Sequence, residues 1–135
     1  MVRAAIDPYG KGRTTVLYPG SKQAGWHLSG ARQVSFWIRY FNLSKTGWQG
    51  PNPIVTLHET STRFLRLTAV GNQLGTQPED KGRPGWKSFE IPLAGSDKWV
   101  ASGQPLRRVN WVSISVDSWD DVGALTLWID GLTFK

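Results

Sequence analysis

Four stretches of this chain alternate apolar and polar residues with a period of two. That pattern fits a strand with one buried face and does not fit a helix. Val34, Phe36, Ile38 and Tyr40 fall on one side of the first stretch, and Ser35, Trp37 and Arg39 on the other. The run from Trp86 to Leu93 puts Phe89, Ile91 and Leu93 together, and the run from Trp111 puts Val112, Ile114 and Val116 together. The last stretch groups Leu125, Leu127 and Ile129, and then its phase slips by one after Asp130-Gly131, because Leu132 and Phe134 also need a core. A glycine-associated bulge accommodates such a slip. Weaker strand signals lie at Thr14–Tyr18, Trp26–Ser29, Ile54–Glu59 and Phe64–Val70.

No segment reads as an amphipathic helix. Fifteen Gly and eight Pro interrupt the strands at short intervals, as in Gly50-Pro51-Asn52-Pro53 and Gly82-Arg83-Pro84-Gly85. About eight short strands with turn signals between them describe an antiparallel sandwich or barrel. The 135 residues suit one domain, read as 1–135, with a core that needs no staples. The longest connection, Gly71–Gly85, is expected to be a surface loop. Cysteine is absent, which excludes disulfides, thiol nucleophiles and Cys-ligated metals. No apolar run is long enough for a membrane span. No charged segment followed by an apolar one opens the chain, so no signal peptide is expected, and Met1-Val2-Arg3 reads as the start of an excised domain.

The aromatic residues narrow the function. They comprise eight Trp, five Phe and three Tyr, more Trp than one small core uses, so some indoles are expected at the surface as recognition groups. Strand parity turns Trp37, Trp111 and Trp128 away from the core, with Arg39, Ser113, Ser115 and Thr126 beside them. His58 and Arg66 lie on strands of undetermined parity. If these strands share a sheet, its outer face carries a row of indoles with polar donors between them. Indole stacks on the C–H face of a pyranose while Arg and His bond its hydroxyls. Base-on-aromatic stacking is worth about 1–3 kcal/mol and a sugar gains no more, so several stacks in a row suit a polymer. Trp48 and Trp119, set among turn residues, are expected at rims, while Trp26, Trp86 and Trp99 are expected to plug the ends of the core.

Catalytic motifs are not found. The two His, at 27 and 58, belong to no nucleophile motif, and no G-x-S-x-G, H-E-x-x-H, P-loop or G-x-G-x-x-G occurs. The chain therefore reads as a non-enzyme. A small lyase or hydrolase is the alternative, and His58 is its first probe. The net charge is +6, from 16 Lys and Arg against 10 Asp and Glu. Six bases and one acid precede residue 40, whereas four acids and no base lie from Asp117 to Asp130. The basic excess leaves an acidic glycan open as partner. Nucleic acid is not expected, because the outward aromatics are nearly all Trp and the Asp-rich loop repels phosphate.

The ordered patterns Val34 to Arg39, Trp86 to Leu93 and Val109 to Val116, closed by Trp128-Ile129-Asp130-Gly131-Leu132-Thr133-Phe134, resemble the galactose-binding-like β-jelly-roll domains. Among these they resemble the carbohydrate-binding modules of secreted polysaccharide-degrading enzymes, over residues 26–135. The resemblance implies an all-β, two-sheet antiparallel β-sandwich of jelly-roll type. It also implies a structural calcium near Asp130, for which Asp7 is the only N-terminal acid, and a glycan site that includes Trp128.

The resulting expectation is a non-catalytic, monomeric polysaccharide binder. Trp37, Trp111 and Trp128 stack, Arg39, His58 and Arg66 hydrogen-bond, and Trp48 and Trp119 form rims. The polysaccharide is a β-glucan or other plant cell wall glycan such as cellulose. An attached catalytic domain is the covalent partner and the location is extracellular. The alternative is a protein- or surface-interaction module that packs on that catalytic domain.

Overall fold

The structure is a computed structural model and describes residues 2–5, 13–42, 53–71, 73, 86–117 and 125–135. Every regular element among them is a β-strand. The strands are β1 (Val2–Ala5), β2 (Arg13–Tyr18), β3 (Trp26–His27), β4 (Gln33–Asn42), β5 (Pro53–His58), β6 (Phe64–Ala69), β7 (Lys87–Pro92), β8 (Trp99–Gly103), β9 (Arg108–Val109), β10 (Trp111–Asp117) and β11 (Leu125–Phe134). No helix among the described residues is long and apolar enough to cross a membrane.

All pairings are antiparallel. One sheet has four strands in the order β1-β11-β4-β7, and the other has five in the order β2-β10-β5-β6-β8. A short ribbon, β3–β9, adds Leu28 and Val109 to the buried set. The fold is all-β and sandwich-like, and its two sheets share one core. The four-stranded sheet contributes Val34, Phe36, Ile38, Phe89, Ile91 and Ile129. The five-stranded sheet contributes Val16, Val55, Leu57, Leu67, Val112 and Ile114. Burial of each such side chain stabilises the fold by roughly 1.5–3 kcal/mol, which is why one face of every long strand is apolar. Phe36 stacks on Phe89 at 5.6 Å, and Phe89 meets the edge of Trp99 at 5.7 Å. Trp99 comes from β8, so this aromatic chain joins the outer strands of the two sheets.

Val34, Phe36, Ile38, Phe89, Ile91, Val112 and Ile114 are buried as the alternation requires, but Ser35, Ser113 and Ser115 on the opposite faces of β4 and β10 are buried as well, and the side chains of Tyr40 and Val116 lie outside those described. The expected slip in β11 is also present. Asp130 pairs with Trp37, but the next β11 partner on β4 is Thr133 with Ser35, so β11 spends three steps where β4 spends two. Gly131 takes the left-handed conformation, φ 63°, that the bulge requires. Strands β1, β8 and β9 carry no alternation long enough to have been expected. Only Gly71 and Gln73 of the Gly71–Gly85 connection are among the described residues.

Candidate functional site

The register divides the anticipated platform between two sheets. Trp37, Arg39 and Trp128 lie on the outer face of the four-stranded sheet, where Trp128 pairs with Arg39 and Asp130 pairs with Trp37. Trp111, His58 and Arg66 belong to the five-stranded sheet, where Trp111 pairs with His58 and Arg66 with Thr56. The single row of Trp37, Trp111 and Trp128 is therefore corrected. Strand parity fixed the outward direction of each ring but not the layer it belongs to. Trp48 and Trp119 lie outside the described residues.

On the four-stranded face Trp37 is 50% exposed and the pyrrole edge of its indole rests against Gly131. A Cβ at Gly131 would sit 3.2 Å from Trp37 Cδ1, so the absence of a side chain there lets the ring lie close to the strand. Trp86 is also exposed, at 38%, which corrects its expected role as a core plug. In β7 Phe89 and Ile91 are buried while Ser88 and Glu90 are exposed, so Trp86 shares parity with the outer set. The alternation of this run already contained that signal, and Trp86 is the surface indole that sequence reasoning missed. Trp26, half-buried and tilted against Phe134 at 5.6 Å, and buried Trp99 keep their structural roles. Arg39 lies 5.3 Å from the Trp128 ring centroid, a cation–π contact. The Arg39 Nε is buried and hydrogen-bonds to none of the described residues. Ser35 and Thr133 bond each other across the strands at 2.8 Å.

The five-stranded face differs in construction. Trp111 and His58 stack at 4.7 Å with ring planes 6° apart, and His58 meets Phe64 at 6.2 Å. Lys22 Nζ stands 5.5 Å from the Trp111 ring and the Arg66 guanidinium 5.2 Å from Phe64. Lys22 follows β2, so it reaches Trp111 from the β2 side of β10, and His58 from the β5 side. Further along the same face Ser113, Thr56 and Ser115 are buried hydroxyls, while Arg66, Ser102 and Thr15 are exposed. Trp111 itself is only partly exposed and gives its faces to protein groups, which corrects its expected role as a free stacking surface.

His58 Nε2 is 2.8 Å from Ser113 Oγ, a separation also found between a nucleophile and its base. A third group that orients the imidazole is missing among the described residues, because His58 Nδ1 is buried without a partner. Burial holds the His58 pKa below its usual 6.5, and the Arg66 and Lys22 charges push it further in the same direction. The unfolded chain accordingly binds a proton near pH 6.5 that folded His58 resists. This contribution to stability is present above the unfolded value and is lost as pH falls from 6.5 through the folded value. Urea unfolding should show the wild type losing more stability than His58→Gln between neutral pH and about pH 5. Equal losses would refute the assignment.

Among the described residues no calcium ligand set gathers at Asp130. Its Oδ1 accepts the Gly131 N–H at 2.9 Å, capping the bulge. Among the described residues no three His, Cys, Asp or Glu converge, and Asp7 lies outside them. Calcium requires six to eight oxygens, and Asp130 is the one expected ligand among the described residues. Comparison of the chain with protein-family models, curated proteins and solved structures finds no match.

Proposed function

We propose that the chain is a non-catalytic polysaccharide-binding module whose neutral-glycan site is the outer face of the four-stranded sheet. The observation that carries this reading is the pair of exposed indoles, Trp37 and Trp86, on one sheet face. Trp128 and Arg39 stand beside them, with the Arg39 guanidinium 5.3 Å from the Trp128 ring centroid. Trp37 lies on β4 and Trp86 just ahead of the neighbouring strand β7, one strand spacing of about 5 Å across, comparable to one pyranose. A β-linked glucan, flat and extended, suits such spacing. Exposed indole is poor surface for a monomer unless it meets a ligand, and a sugar ring supplies the C–H face that indole lacks in water. Jelly-roll topology, an extracellular location and an attached catalytic domain belong to the same reading. Binding would raise the effective concentration of that enzyme at its substrate. Single-module affinity would be micromolar to millimolar, roughly −8 to −4 kcal/mol.

Isothermal titration with mixed-linkage β-glucan oligosaccharides tests the reading. Trp37→Ala should weaken binding about tenfold to a hundredfold, one lost stack, with little change in thermal stability because the ring is half exposed. Unchanged affinity in both Trp37→Ala and Trp86→Ala would sink it.

A further inference from the structure

The line Lys22–Trp111–His58–Phe64–Arg66 crosses β10, β5 and β6 on the face opposite Trp37. Three rings form the middle and one cation covers each end. Neither Lys22 nor Arg66 pairs with a carboxylate among the described residues. The acid nearest Arg66 in sequence, Glu59, is already engaged by Arg63 at 3.3 Å. Both charges acting on His58 are positive. The rings that carry the cations, on β10 and β6, are two strand spacings apart, about 10 Å. Exposed Ser102, opposite Arg66 in the register, adds a hydroxyl. Lys22 holds φ 56°, a conformation uncommon for a residue with a side chain, while its ammonium stands over the indole.

We infer that this face is a second, separate site, which binds the carboxylate or sulfate groups of an acidic polysaccharide between Lys22 and Arg66. The inference rests on the glycan-binding reading for its choice of polymer. Two cations fixed over separate aromatic rings, with the His58 ring between those rings, match anionic groups repeated along a chain rather than one free ion. The rings also select against nucleic acid. Single-stranded binding needs aromatic faces on which bases can stack, and here Trp111 is taken by His58 and Lys22 and Phe64 by Arg66. The exposed groups of this face are Lys22, Arg66, Ser102 and Thr15, while the three rings are only partly exposed. His58 remains the reporter at the centre of the line, because an anion placed there offsets the two charges that disfavour its protonation.

The test uses the whole chain with polygalacturonate, dextran sulfate, neutral β-glucan, a single-stranded oligonucleotide and inorganic sulfate as probes. Affinity electrophoresis should show retention by at least one of the two acidic polymers, weakened about tenfold in each of Lys22→Gln and Arg66→Gln. Lys98→Gln, an exposed cation elsewhere, should leave it unchanged. Nuclear magnetic resonance should show the His58 pKa rising when the retained polymer is added. Wild-type retention by the Lys22→Gln/Arg66→Gln double variant overturns the inference. So does an unmoved His58 titration, tighter binding of the oligonucleotide than of both acidic polymers, or inorganic sulfate binding as tightly as the polymer. A chain that ignores β-glucan but loses its acidic partner in the double variant keeps this second site and refutes the first.

Discussion

Phe36→Ala lowers the unfolding free energy by about 4 kcal/mol, as large-to-small changes at fully packed aromatic sites do. The side chain is 1% exposed and stacks on Phe89, which in turn braces Trp99 from the opposite sheet. Removal takes away the transfer energy of the ring and also leaves Phe89 without its neighbour. The strands around the cavity are held by ladder hydrogen bonds, so they cannot close in without shearing a sheet. The melting temperature should fall by about 15 °C. A loss under about 1 kcal/mol in denaturant titration would mean that the two sheets do not meet at this point. Trp37→Ala, at the next residue but on the solvent side, should spare stability and weaken binding about tenfold to a hundredfold.

Gly103→Ala destabilises by about 3 kcal/mol through a different cause. Gly103 ends β8 at φ 115°, a region that a side chain strongly disfavours, and it pairs with Leu65. A Cβ there would overlap the carbonyl oxygen of Phe64, which is backbone and cannot rotate aside. The same carbonyl accepts the Gln104 N–H at 3.0 Å. Relief of the clash must therefore displace Phe64, the ring beneath Arg66. Gly20→Ala, where an added carbon meets nothing within 4 Å, serves as the comparison and should be near neutral. Equal melting temperatures for the two variants would refute the account. If the acidic-glycan inference holds, Gly103→Ala should also weaken that binding in the fraction that remains folded.

The sequence made the direction of side chains legible and left their partners unread. Alternation in 34–40, 86–93 and 111–116 sorted Phe36 from Trp37 and Ile114 from Ser113, because burial of one face is a local constraint. The slip at Asp130-Gly131 was equally local. Sheet membership is not. β4 pairs with β11 and β7, which lie far from it in sequence, and nothing in the residues of β4 names those partners. The supposed indole row failed at that step, with Trp111 assigned to the wrong company. Trp86 was misread for another reason. Its parity pointed outward with Ser88, yet it was grouped with Trp26 and Trp99 as a plug at the ends of the core. The stack of Trp111 on His58 and the cations over its ends depend on register across three strands, which period-two reasoning does not supply.

The bulge at Gly131 has an evolutionary corollary. Without the extra residue β11 would have one reading frame, and Trp128 and Phe134, an even number of positions apart, would be forced to the same side of the sheet. The insertion lets Trp128 face outward while Phe134 packs against the core. Two halves of one strand are thereby uncoupled, so the outward residues of the first half can change while the packing of the second is kept. Deletion of that single glycine would fuse the two frames again and make every change at one end a burden on the other.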